Sequence, residues 1–129
     1  MAHYLDTSAL TKLVVAEAES DALRTWLAAD RDPVACDLAR TELMRAVRRV
    51  APDRLLQARA VLDSLTLTAV TPALCEQASR LDPPMLRSLD AIHLAAALDL
   101  GDDLDGMLTY DERLAEAAAL NGIVTVAPA

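Results

Sequence analysis

Aromatic side chains are almost missing from this chain: no phenylalanine, two tyrosines and one tryptophan in 129 residues. A core must therefore be assembled from leucine, valine, isoleucine and alanine, and a hydrophobic share of 53% is enough to build one. Lysine is nearly absent as well. Lys12 is the only one, and the other basic residues are arginines. The formal net charge of −8 has the wrong sign for holding a nucleic acid by bulk charge. A polyanionic partner would need cations supplied locally, by a metal ion or by clustered arginines. Cysteine is limited to Cys36 and Cys75, far apart in apolar surroundings, which read as buried thiols in a reducing compartment. No Cys/His cluster points to zinc. No apolar run approaches the ~20 residues needed to span a bilayer. The N-terminus has neither a basic n-region nor an apolar h-region. These absences predict a soluble cytoplasmic protein with no membrane partner, folded as a single domain over 1–129.

What the chain does contain centres on Leu86 to Leu98. That stretch reads as a helix with no polar face, and a helix that is apolar all round is buried. Asp90 sits inside it. A lone carboxylate in an apolar setting is costly unless it is paired, for instance with Arg87, or coordinates a metal.

Taken in order, short apolar strands alternate with helices. His3 to Asp6 reads as a strand, followed by a helix over Ala9, Leu10, Leu13 and Val14 that Thr7 or Ser8 can cap, with Lys12 exposed. Leu23, Trp26 and Leu27 line a second helix, Asp30 to Pro33 is a turn, and Val34 to Cys36 is a strand. Asp37 can cap a third helix reaching Val50, with an apolar stripe of Leu43, Ala46, Val47 and Val50. Glu42 lies at the edge of that stripe, one turn before Ala46. Pro52 opens a fourth helix carrying Leu55, Leu56, Ala58, Val61 and Leu62. Leu65 to Val70 is a strand, Thr71-Pro72 opens a helix to about Leu81, and Asp82-Pro83-Pro84 stops it. After the apolar helix, 101–106 is an acidic turn and Met107 to Thr109 a strand. Glu112 to Leu120 is a helix closed by Asn121-Gly122, and Ile123 to Val126 is the last strand. The alternation predicts a three-layer α/β/α domain with a mostly parallel central sheet of four to five strands.

In an open parallel sheet, sites form outside the carboxyl ends of the strands. Asp6 ends the first strand and Asp111 lies just past the fourth, so the two share an edge if those strands are neighbours. Asp90 and Glu42 come from helices that pack on the same sheet. Two charges 4 Å apart repel by about 4 kcal/mol at an effective dielectric near 20. Four converging carboxylates therefore call for a divalent cation, and all-oxygen ligation suits Mg²⁺ or Mn²⁺. Carboxylate-held Mg²⁺ serves phosphodiester hydrolysis by activating water. Each acid also has a plainer role open to it: Asp6 and Asp111 as helix caps, Glu42 paired with Arg45 or Arg49 along its helix. His93 reads as a satisfied core histidine and Trp26 as core or interface. Arg40, Arg45, Arg48, Arg49, Arg54 and Arg59 form either a solvated face or a phosphate-binding one. Thr7, Ser8 and Thr109 cap helices or hold the acids by hydrogen bonds. An aspartyl-phosphate phosphatase also places an aspartate after its first strand, but it usually carries another acid two positions on, where Ser8 stands here.

The motifs Leu5-Asp6-Thr7-Ser8-Ala9-Leu10, Thr41-Glu42-Leu43, Leu89-Asp90-Ala91-Ile92-His93-Leu94-Ala95 and Thr109-Tyr110-Asp111-Glu112-Arg113-Leu114 occur in this order over nearly the whole chain. Together they resemble the PIN-domain ribonucleases, and within them the VapC toxins of bacterial VapBC toxin–antitoxin modules. The resemblance implies that Asp6, Glu42, Asp90 and Asp111 are a catalytic quartet holding one or two Mg²⁺ or Mn²⁺ ions. It implies cleavage of a structured RNA, such as a tRNA or a ribosomal RNA loop. It also implies a homodimer neutralised by a VapB-type antitoxin. Arg45, Arg49 and Arg87 are the candidates for contact with the RNA or the antitoxin. A PIN-like binding module without catalysis is the non-enzymatic alternative.

Overall fold

The computed structural model describes residues 2–29 and 31–129. The elements follow one another as β1 (Ala2–Leu5), α1 (Thr7–Lys12), α2 (Ser20–Leu27), β2 (Asp32–Cys36), α3 (Leu38–Val50), α4 (Leu55–Asp63), β3 (Thr66–Thr68), α5 (Pro72–Ser79), α6 (Ser88–Leu98), β4 (Leu104–Leu108), α7 (Glu112–Leu120) and β5 (Thr125–Val126). Pro52–Arg54 and Gly101–Asp103 are single 3₁₀ turns. The strands form one sheet in the order β3-β2-β1-β4-β5, with every neighbouring pair parallel.

Alternation along the strands divides the apolar residues between two cores. Tyr4, Cys36 and Met107 face α5, α6 and α7. Leu5, Ala35 and Leu108, each adjacent to one of these in sequence, face α1 to α4. Both faces are covered by helices, which is why the strands are apolar at consecutive positions. The predicted three-layer α/β/α architecture is the observed one, and the sheet is parallel throughout.

β1 lies between β2 and β4, with Leu5 opposite Leu108. The ladder runs one step further, because the Asp6 amide donates to the Leu108 carbonyl at 3.3 Å. Asp6 and Thr109 therefore leave the same edge of the sheet side by side.

Several expectations shift. Lys12 is buried at 8% exposure instead of exposed, because its ammonium donates to Glu19 at 2.8 Å, lies 3.6 Å from Glu17 and covers the Tyr110 ring. α1 is capped by Asp6 and not by Thr7 or Ser8, since the Asp6 carboxylate accepts the Ala9 amide. Asp37 does not cap α3; its backbone is already helical and its side chain pairs with Arg40 at 2.9 Å. Val50 and Leu56 are exposed. β2 begins at Asp32 and β4 at Leu104, inside segments expected to be turns, and Asp30 of the first turn lies outside the described residues. α6 is buried along Ala91 and His93 to Ala97, but its first turn stands at the sheet edge, with Leu89 at 49% exposure and Asp90 half-buried. Cys36 is buried, Cys75 is exposed, and both are free thiols.

At Gly106 in β4 the neighbouring backbone comes close: a Cβ there would stand 3.0 Å from the Val124 carbonyl oxygen. Gly106→Ala is expected to push β5 off β4 and cost about 1–3 kcal/mol, the usual price of overpacking. Urea denaturation of the two proteins checks it.

Candidate active site

Asp6 is the first residue past β1 and only 5% exposed. Its Oδ1 accepts from the Ser8 hydroxyl at 2.6 Å and from the Ala9 amide at 3.1 Å. Its Oδ2 accepts from the Thr109 hydroxyl at 2.7 Å. The same two hydroxyls tie in the end of β4: Thr109 Oγ1 accepts the Asp111 amide at 3.1 Å, and Ser8 Oγ accepts the Tyr110 amide at 2.9 Å. Asp6 and Asp111 thus share one bridging side chain, Thr109. Asp111 caps α7, its Oδ1 accepting the Arg113 and Leu114 amides at 2.9 and 3.1 Å. That arrangement uses the helix N-terminus to hold a negative charge.

Glu42 is fixed from two sides through a single oxygen. Its Oε1 accepts from the Thr7 hydroxyl at 2.7 Å and from His93 Nε2 at 2.5 Å. Neither Arg45 nor Arg49 is its partner; both arginines are exposed. Asp90 has neither tether nor partner: among the described residues no hydrogen bond or ion pair reaches its carboxylate, and Arg87 beside it is exposed. Asp90, Asp111, Arg87 and Arg113 line an open cleft. Arg49 lines a second groove together with Thr7, Ser8 and Tyr110.

The electrostatics follow from this geometry. Burial pushes the Asp6 carboxyl up, and the hydrogen bonds from Ser8, Thr109 and Ala9 recover only part of the cost. Asp90 is also held above the ordinary carboxylate range, first by burial and then by Asp111, with Asp6 and Glu42 adding and His93 opposing. Burial works against ionised Glu42 too, but the His93 and Thr7 hydrogen bonds and the His93 charge outweigh it, so Glu42 lies below the usual range. Burial disfavours a charged His93. The hydrogen bonds and charges of Cys36 and Glu42 override that and push its pKa up to about 10.

Asp90 therefore feels the other three acids, and all four stand at the carboxyl edge of the sheet. They are not drawn onto one point. Among the described residues, no group of three acids, histidines or cysteines is tight enough to hold an ion as it stands. The donor set nevertheless suits a hard divalent cation. Glu42 Oε2, Asp111 Oδ2 and both Asp90 oxygens carry none of these hydrogen bonds, and Asp6 Oδ2 carries one. Each tethered acid is anchored largely through one oxygen and keeps coordinating capacity on the other. That arrangement suits oxygen-only Mg²⁺ or Mn²⁺ sites, in which outer hydrogen bonds orient the ligands.

His93, expected in the core, is buried. Both of its ring nitrogens are engaged, Nε2 with Glu42 and Nδ1 with the Tyr4 hydroxyl, a tie the sequence alone does not reveal. The available signal was its position one turn beyond Asp90 on the same helix. Tyr4, at 0% exposure, looked like an ordinary strand residue.

The family model described as PIN domain matches residues 3–120. Ribonuclease VapC47 of Mycobacterium tuberculosis is 44% identical over 130 residues, covering 97% of this chain and 96% of the relative. Ribonuclease VapC46 of the same organism is 44% identical over 125 residues, again covering 97% and 96%. Among solved structures, M. tuberculosis VapC20, described as a Sarcin-Ricin loop cleaving toxin, superposes with a TM-score of 0.79 at 20% identity, covering 98% of this chain and 100% of that one. A toxin–antitoxin complex from Klebsiella pneumoniae gives a TM-score of 0.75 at 21% identity, covering 100% and 98%.

Proposed function

Because the chain belongs to the PIN-domain family, and within it to the VapC ribonucleases, we propose that it is a divalent-metal-dependent endoribonuclease toxin held in check by a VapB-type antitoxin. The substrate is a structured RNA, a tRNA or a ribosomal RNA loop, and the working form is a homodimer. The observation that carries the site assignment is the pattern of free oxygens: each acid at the sheet edge presents coordinating capacity beside its tether.

Asp6, Glu42, Asp90 and Asp111 would hold Mg²⁺ or Mn²⁺. When bound, such an ion supplies activation of water at neutral pH and stabilisation of charge on the phosphoryl oxygens. The chain's own residues do the rest. Ser8 and Thr109 orient the Asp6 carboxylate and offset part of the cost of burying its charge. Thr7 and His93 orient Glu42. The first amides of α7 orient Asp111. Arg87 and Arg113, flanking the cleft, meet phosphates on either side of the bond to be cut, and Arg45 and Arg49 on the Glu42 helix extend that contact. In a chain of net charge −8, such local cations must carry the RNA contact. The phosphatase alternative has nothing comparable behind it: Ser8 is engaged as a donor to Asp6, and the curated relatives are named ribonucleases.

The test is incubation of the purified protein with total RNA and Mg²⁺ or Mn²⁺, followed by mapping of new ends. A few discrete cuts leaving 5′-phosphate and 3′-hydroxyl, lost with EDTA or with the antitoxin, are expected. Undiminished cutting in EDTA would refute metal dependence. Thr109→Val keeps the shape of the bridging side chain but removes its hydrogen bonds to Asp6, the Asp111 amide and the Ser8 hydroxyl. It is expected to lower the cleavage rate roughly 10–100-fold and to destabilise the fold by about 1–3 kcal/mol, measured by single-turnover cleavage and urea denaturation.

A further inference from the structure

A buried chain of hydrogen bonds ends on Glu42. The Cys36 amide, fixed in β2, donates to Tyr4 Oη at 3.2 Å. Tyr4 Oη and His93 Nδ1 lie 2.7 Å apart and share one proton. His93 Nε2 faces Glu42 Oε1 at 2.5 Å. Because that oxygen belongs to a carboxylate, Nε2 must carry a proton, whether or not Nδ1 also holds one. Tyr4 and Cys36 are fully buried and His93 is 2% exposed, so water does not compete for the bonds among these three, while Glu42 at the end of the hydrogen-bond chain is partly exposed.

Glu42 Oε1 is also the acceptor for Thr7, the residue after Asp6. His93 in turn sits one turn beyond Asp90 on α6. A single carboxylate oxygen therefore fixes the Glu42 helix against both the strand end that carries Asp6 and the helix that carries Asp90. We infer that Tyr4 and His93 are positioning residues that lock Glu42 Oε1 to the sheet and so hold Oε2 ready for the divalent ion. The inference rests on the function proposed above. It adds that the spacing of the acids is set from inside the core, by a strand tyrosine that touches none of the reacting groups.

Three variants test it: Tyr4→Phe, which removes only the hydroxyl; His93→Leu, which removes the donor; and His93→Gln, whose amide nitrogen reaches about as far as Nε2. Mn²⁺ binding to the metal-free protein is measured by calorimetry, folding by circular dichroism, and RNA cleavage by kcat and KM. Tyr4→Phe and His93→Leu are expected to weaken Mn²⁺ binding about tenfold or more, lowering kcat with KM for RNA little changed. His93→Gln is expected to restore most of the affinity lost in His93→Leu. Nitrogen-15 spectra of the histidine rings in the metal-free protein give an independent reading, with a protonated Nε2 on His93 expected. Folded variants that bind Mn²⁺ within twofold of the parent would overturn the inference. So would His93→Gln failing as badly as His93→Leu, or a His93 Nε2 without its proton. A parent protein that binds no Mn²⁺ would instead overturn the proposed metal-dependent function.

Discussion

Asp90→Asn is expected to abolish RNA cleavage, by at least about a thousandfold, while making the metal-free protein more stable at neutral pH. The first half follows from Asp90 being the acid with both oxygens free of tethers. An amide of the same shape offers a cation one neutral oxygen and a nitrogen that cannot ligate it. The second half follows from charge. The Asp90 carboxyl is held above its ordinary value of 3.8 by burial, then by Asp111, with Asp6 and Glu42 adding to it. The folded protein therefore binds this proton more tightly than the unfolded chain does. The resulting penalty is absent below the unfolded value, grows as pH rises through the raised folded value, and is constant above it. In EDTA, the melting temperature of Asp90→Asn should exceed that of the parent at pH 7, and the gap should close towards pH 3. Adding Mn²⁺ should reverse the order, because only the parent gains from binding. A variant that cuts RNA at the parental rate would take Asp90 out of the chemistry.

Asp6→Ala is expected to lose cleavage just as completely, with the opposite effect on the fold. Asp6 caps α1 and receives the Ser8 and Thr109 hydroxyls. Removing a side-chain cap costs about 0.5–2 kcal/mol. Leaving the buried Thr109 hydroxyl without its acceptor adds roughly 1–3 kcal/mol. Urea denaturation in EDTA should show this loss at pH 7. Asp6→Asn, which keeps an oxygen for the cap, should be equally inactive but less destabilised. The two substitutions thus separate the acids: Asp90 burdens the metal-free fold, whereas Asp6 also helps to hold it together.

Local chemistry made the fold legible. Helix α7 runs from Glu112 to Leu120 as its sequence predicts, because Asp111 caps one end and Asn121-Gly122, with Gly122 at φ +82°, closes the other. The alternation of short apolar strands with amphipathic helices gave the layers, and the neighbouring β1 and β4 put Asp6 and Asp111 on one edge as expected. What failed depended on distant partners. Lys12 looks like a surface residue until Glu17, Glu19 and Tyr110 are brought over it. Leu89 looks buried because its neighbours are, but it belongs to a first turn that stands at the sheet edge. The Glu42–His93 bond joins residues 51 apart, and the position of His93 one turn beyond Asp90 does not by itself name Glu42 as its partner.

The most direct measurement is Mn²⁺ titration of nitrogen-15-labelled protein, following which amide signals broaden near the paramagnetic ion. Broadening should gather at Asp6 to Ala9, Glu42, Asp90 to Ala91 and Thr109 to Glu112, and should vanish in Asp90→Asn. Broadening centred instead on the exposed acids Asp102 and Asp103, or spread evenly over the acidic surface, would show that these four carboxylates hold no common ion.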